Sequence, residues 1–196
     1  MLHFFHGVMG SSKTAMLLMQ RHNCLELGLK VALVKPAIDT RISAEAVYSR
    51  VGLQANADVI LEKGHSVKEQ LSWLAVQQAH SDFQYIFVDE AQFLTEEQVQ
   101  ELADLADDRQ IFCYGLKTDF MGNFFPGSAA LLRLAEDIQE VFGALCWCGK
   151  KATMNTRINK NGDVIKEGQQ VLIDNQNEIK YIGLCYKHWR EGKSHG

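Results

Sequence analysis

Near the N-terminus, the residues of GVMGSSKT (7–14) could hold phosphate. Gly7, Lys13 and Thr14 take the fixed places of G-x-x-x-x-G-K-[ST], with Val8, Met9, Gly10, Ser11 and Ser12 between them. In such a loop, backbone N–H groups and a helix N-terminus cradle the phosphates. The lysine reaches the outer ones, and the hydroxyl ligates a divalent cation. Ser12 stands where the pattern has its second glycine. Phosphate binding therefore requires this residue to keep an ordinary αR or β conformation, with Gly10 supplying part of the turn. Taken alone, the pattern also fits a plain strand-to-helix connection that contains Ser-Lys-Thr.

Two acids, Asp89 and Glu90, end the hydrophobic run QYIFV (84–88). A carboxylate at that place in a phosphate-loop protein holds Mg²⁺, directly or through water. Side chains alternate along a strand, so the two should diverge. Asp89 then faces the metal, and Glu90 is placed to act as general base on a hydroxyl nucleophile. A third group is CWC at 146–148 with CYKH at 185–188. Cys146, Cys148, Cys185 and His188 suit tetrahedral zinc, and a closed Cys₃His set is structural because it leaves no position for water. The single residue between the first two cysteines is short for a zinc knuckle, so buried thiols beside a surface histidine remain open.

Alternating elements must position these groups. Residues 2–6 form an apolar strand, and residues 13–27 carry apolar side chains at helical spacing up to Gly28. Further strands are predicted at 31–34, 84–88 and 110–114, and helices at 66–79, 95–106 and 128–140. Thr95 followed by Gln98 gives a capping box. Strands alternating with helices give an α/β fold, a parallel sheet flanked by helices, whose ligands bind at the carboxyl ends of the strands. Residues 39–57 read as a mobile loop. Past Gly143 the chain becomes short-stranded and glycine-punctuated, which divides it into 1–143 and 144–196.

The 196 residues allow one ordinary domain with a small appendage. A net charge of −4 argues against a nucleic-acid binder working through bulk electrostatics. No apolar run approaches the ~20 residues of a membrane span, and no secretory signal is visible, so a cytoplasmic location is expected. Cys24 and Cys113 lie alone in apolar surroundings and read as packing.

In order along the chain, HGVMGSSKT, KPAIDTR (35–41), SRVG (49–52), VDEAQF (88–93), YGLKTDF (114–120), CWCGKKAT and CYKH resemble the zinc-containing cytosolic thymidine kinases. The resemblance covers nearly the whole chain. It implies a P-loop NTPase-like sheet with a small zinc-binding lasso domain, and transfer of the γ-phosphoryl group of ATP to the 5′-hydroxyl of thymidine, with deoxyuridine also accepted. It implies a nucleotide site of residues 7–14 with Asp39, Arg41, Asp89 and Gln92, Mg²⁺ on Thr14 and Asp89, and Glu90 as the base. Met9, Phe93, Leu116, Phe120 and Tyr181 match positions that surround the thymine, although core packing would explain each singly. A homotetramer inhibited by thymidine triphosphate is also implied.

The chain departs from the family at Ser12, at Lys117 where arginine is common, and at Asp174 and Asn175 where Gly-Gly lets backbone approach a ligand. A GTPase would carry Asn-Lys-x-Asp, but Asn159 and Lys160 lead to Asn161 and Gly162. The rival from another class is a non-enzymatic zinc-binding module with a degenerate nucleotide site.

Overall fold

The alternation in LHFFH sorts β1 (Leu2–His6) between two cores, Leu2 and Phe4 into one and Phe5 into the other. The computed structural model describes residues 1–38, 45–79, 82–171 and 179–196. After β1 come α1 (Lys13–Glu26), β2 (Val31–Pro36), β3 (Ala46–Tyr48), β4 (Gln54–Asn56), β5 (Val59–Leu61), α2 (Val67–Gln77) and β6 (Tyr85–Val88). A 3₁₀ turn (Ala91–Phe93) leads to α3 (Glu96–Leu105), β7 (Gln110–Gly115), α4 (Pro126–Leu134) and β8 (Asp137–Glu140). The chain ends with β9 (Met154–Asn159), β10 (Val164–Ile165), β11 (Ile179–Leu184) and α5 (Tyr186–Glu191).

Six strands form one sheet in the order β5-β2-β6-β7-β1-β8, and every pairing is parallel. Helices cover both faces, as an all-parallel sheet requires. Leu71, Val99, Leu102 and Leu131 of α2, α3 and α4 pack on one face against Phe4, Val34 and Ile86. Leu17 and Leu18 of α1 pack on the other against Phe5, Leu33 and Phe87. The capping box forms: Thr95 Oγ1 accepts from Gln98 N at 3.2 Å, and Gln98 Oε1 accepts from Thr95 N at 3.0 Å. Among the described residues, no helix is long and apolar enough to cross a membrane.

Two expectations need correction. The helix expected over 128–140 ends at Leu134, because Ala135 turns extended (φ −70°, ψ 134°) and residues 137–140 pair with β1 as an edge strand. Its DIQE sequence has little apolar content because it pairs along one edge only and three of its four residues are exposed. Within 39–57, residues 39–44 lie outside the described residues, but 46–56 form a hairpin rather than a loop. Its Val47 is buried in the α1-side core. Beyond the main sheet, β10-β9-β11 make a small antiparallel sheet followed by α5.

Candidate active site

The carboxyl ends of β1, β6 and β7 lie side by side, and the predicted groups emerge from them. After β1, Gly7 N donates to Gly115 O at 3.3 Å, tying the loop to β7. A Cβ on Gly7 would sit 2.5 Å from Ser11 Oγ, so only glycine permits this tight entry. Lys13 Nζ donates to Val8 O at 3.0 Å, folding the lysine along the loop. Ser12 breaks the expectation made for it: at φ 65°, ψ 22° it is left-handed, as is Gly10 at φ 81°. The loop thus keeps the glycine-like shape with a serine, whose carbonyl accepts from Met16 N (3.0 Å) to start α1.

That conformation costs a non-glycine residue about 1 kcal/mol. The exposed Ser12 side chain makes no capping bond in return. Ser12→Gly is therefore expected to raise Tm by about 2 °C in calorimetry, the gain being trimmed by the larger chain entropy of glycine. A lower Tm would show that the hydroxyl contributes more than the strain removes.

Asp89 follows β6 and is 5% exposed. The Thr14 hydroxyl donates to it, 3.2 Å from each carboxylate oxygen. Burial first, and the neighbouring Glu90 carboxylate second, push the Asp89 carboxyl up to about 7. A buried carboxylate facing a threonine hydroxyl is the donor set a hard divalent cation takes, and such an ion would restore the charged form.

Glu90 follows Asp89 in a left-handed turn (φ 50°, ψ 39°) beyond the strand, so strand alternation does not set its direction. Backbone strain of this kind concentrates at functional positions. Gln92 Nε2 donates to Glu90 Oε2 at 2.6 Å, and Gln92 Oε1 accepts from Leu116 N at 3.0 Å. The buried Gln92 amide thus ties the acid to the end of β7.

Part of the loop, Glu90 and Gln92 open on one cavity of about 190 Å³, whose lining includes neither Gly7 nor Asp89; Asp89 is linked to it through the Thr14 hydroxyl. Gly10, Ser12, Lys13 and Thr14 line one part, and Glu90 and Gln92 another. All five predicted apolar residues, Met9, Phe93, Leu116, Phe120 and Tyr181, line it, joined by Phe125. Asp39, Arg41, Asp174 and Asn175 lie outside the described residues. The arrangement can hold an anionic chain at the loop and a flat apolar group at the aromatic wall, with the Glu90 carboxylate on the same cavity to take a proton.

Three contributors escaped sequence reasoning. Asn155 of β9 accepts from Met9 N at 2.8 Å and donates to Thr118 O at 2.7 Å, bridging the small sheet to the phosphate loop. Arg157, 1% exposed, sets its guanidinium 3.7 Å from the Phe120 ring centroid and 5.3 Å from that of Tyr181. Its Nε donates to the Tyr181 hydroxyl at 2.9 Å. Their one signal was the polar run NTR set between Met154 and Ile158. The third, Arg50, sits on the β3–β4 hairpin and also lines the cavity.

Among the described residues, Cys146, Cys148, Cys185 and His188 form one cluster, with ligand atoms all within 4.8 Å of one another. His188 Nδ1 lies 3.3 Å from Cys146 Sγ and 3.5 Å from Cys185 Sγ, and Cys148 Sγ lies 4.0 Å from Cys185 Sγ. A tetrahedron with ordinary zinc bond lengths has S···N edges of about 3.6 Å and S···S edges of about 3.8 Å. These three edges fit such a tetrahedron, and the short CWC spacing does not keep the four residues apart. Burial opposes the Cys146 thiolate, but backbone N–H groups of Cys148 and Cys185 and the His188 ring outweigh it and bring the pKa down to about 6.

The sequence pattern of the family described as "Thymidine kinase" matches residues 1–189. The thymidine kinase of Enterobacteria phage T4 is 42% identical over 96% of this chain and 94% of its own length. That of Ruegeria pomeroyi is 41% identical over 97% and 93%, and that of Legionella pneumophila strain Lens 38% over 98% and 90%.

Proposed function

This chain belongs to the thymidine kinase family, and we propose that it transfers the γ-phosphoryl group of ATP to the 5′-hydroxyl of thymidine, with deoxyuridine as a second substrate. The supporting observation is the single cavity shared by the phosphate loop, Glu90 and the aromatic wall. In the proposed step the 5′-oxygen attacks the γ-phosphorus while its proton passes to Glu90. The bond to the β,γ-bridging oxygen breaks, and ADP leaves with that electron pair. Such chemistry needs chiefly positioning and charge neutralisation.

Residues 7–14, with Lys13 reaching the outer phosphates, hold ATP. Thr14 and Asp89 would hold Mg²⁺, whose contribution is neutralisation of phosphate charge. Gln92 belongs to this site as the group that orients Glu90. Met9, Phe93, Leu116 and Phe120 enclose the base and Tyr181 covers it. Structural zinc on Cys146, Cys148, Cys185 and His188 staples a lasso domain at 144–196 to the nucleotide domain at 1–143. Asp39 and Arg41 beside the phosphates, a homotetramer, inhibition by thymidine triphosphate and a cytoplasmic location complete the proposal on family resemblance.

Incubation with Mg-ATP and, separately, thymidine, deoxyuridine, deoxycytidine and deoxyguanosine tests it. Monophosphate is expected from the first two. Equal turnover of deoxyguanosine would sink the base assignment. No product from any nucleoside, in folded zinc-loaded protein, would favour a binding module that has kept the architecture and lost the chemistry.

A further inference from the structure

The hairpin β3–β4 presents Arg50 to the phosphate loop with a care that an ordinary surface charge does not need. Its base is clamped by Lys35, 1% exposed, whose Nζ donates to Ala46 O at 2.8 Å. Its tip is pinned by Ser49, 4% exposed. Ser49 N donates to Leu53 O at 2.8 Å, Leu53 N donates to Ser49 Oγ at 2.9 Å, and Gly52 N closes the turn on Ser49 O at 3.0 Å. Val47 anchors the strand between them in the α1-side core. A turn held this firmly fixes where its side chains start.

Arg50 lies on that turn, lines the cavity, and brings Nη1 to 3.7 Å from where a Cβ on Gly10 would stand. Among the described residues, no hydrogen bond or ion pair engages its guanidinium. An exposed, unengaged guanidinium on a rigid turn over a phosphate loop matches the planar, bidentate geometry of phosphoryl oxygens. Lys13 and Thr14 come from α1 and Asp89 from the end of β6, so Arg50 adds positive charge from a separate element.

We infer that Arg50 is a catalytic residue that contacts the phosphoryl group in transfer. The inference rests on the phosphoryl-transfer reading above. As the 5′-oxygen bonds to the γ-phosphorus and the bridging oxygen departs, charge spreads over the equatorial oxygens. Arg50 donates to them without taking part in proton transfer, which remains with Glu90.

Steady-state kinetics of wild type, Arg50→Ala and Arg50→Lys with Mg-ATP and thymidine test this. Arg50→Ala is expected to lower kcat about 100-fold, below the roughly 1,000-fold that marks the low end for arginines of this role because Lys13 still neutralises the phosphates, with KM for thymidine changed by no more than about threefold. Arg50→Lys should recover less than a tenth of the loss, because lysine lacks the fork. Millimolar guanidinium should raise turnover by Arg50→Ala about tenfold and leave wild type unchanged, a response no merely structural loss would give. A kcat within threefold of wild type, or a loss that guanidinium does not relieve, overturns the assignment. Wild-type protein that makes no monophosphate overturns the reaction itself, which separates the two failures.

Discussion

Glu90→Gln is expected to lower kcat about 1,000-fold while ATP and thymidine still bind. Glu90 lines the same cavity as the loop residues and the aromatic wall, where the 5′-hydroxyl of a bound nucleoside would meet the γ-phosphate. Glutamine keeps the volume, and its carbonyl oxygen can still accept from Gln92 Nε2, the bond that Glu90 Oε2 accepts at 2.6 Å. The left-handed turn at residue 90 is equally available to either side chain, so the fold should be untouched. What disappears is the capacity to take the proton. Titration calorimetry with ATP and with thymidine, beside steady-state turnover, separates binding from chemistry. A variant that turns over within threefold of wild type would show that the proton leaves by another route.

Much of this site was legible because its residue types are chemically demanding. Gly7, Lys13, Thr14, Asp89, Glu90 and the four sulfur and nitrogen ligands are the residues phosphate, metal and proton chemistry select. Spacing alone ordered them along strands and turns. What stayed hidden was set by tertiary context. Ser12 adopts a conformation disfavoured locally because Asn155 holds Met9 N on one side and the first turn of α1 holds Ser12 O on the other. The hairpin at 46–56 has strands too short for alternation to register, and its anchor is Lys35, a residue usually exposed. Strand β8 reads as helix because its edge position asks for little apolar content. Arg157 is a cation that burial patterns cannot place, since it lies between two aromatic rings.

Replacing Cys185 with serine is expected to abolish zinc retention and to reduce thymidine turnover more than 1,000-fold, while the six-stranded sheet stays folded. Structural zinc contributes about 10–16 kcal/mol in small zinc-binding peptides, as much as the whole stability of an ordinary domain. Here it would hold a segment whose apolar core, among the described residues, is little more than Leu184, Ile182 and Trp189 around the cysteines. Strand β11 runs directly into Cys185 and pairs with β9 from Ile179 opposite Asn159 to Leu184 opposite Met154. From β9, Asn155 reaches Met9 of the phosphate loop, and Arg157 backs Phe120 and Tyr181. Loss of one ligand should therefore loosen both the loop and the aromatic wall, although Cys185 lies outside the cavity lining. Metal analysis should find less than about one tenth of the wild-type zinc, and calorimetry should show the small sheet melting apart from the main one. The main sheet has its own cores on both faces, so helical circular dichroism should persist. His188→Ala should reproduce the result through a different ligand atom. A zinc-free variant with wild-type kinetics would show that the small sheet holds the loop without its metal.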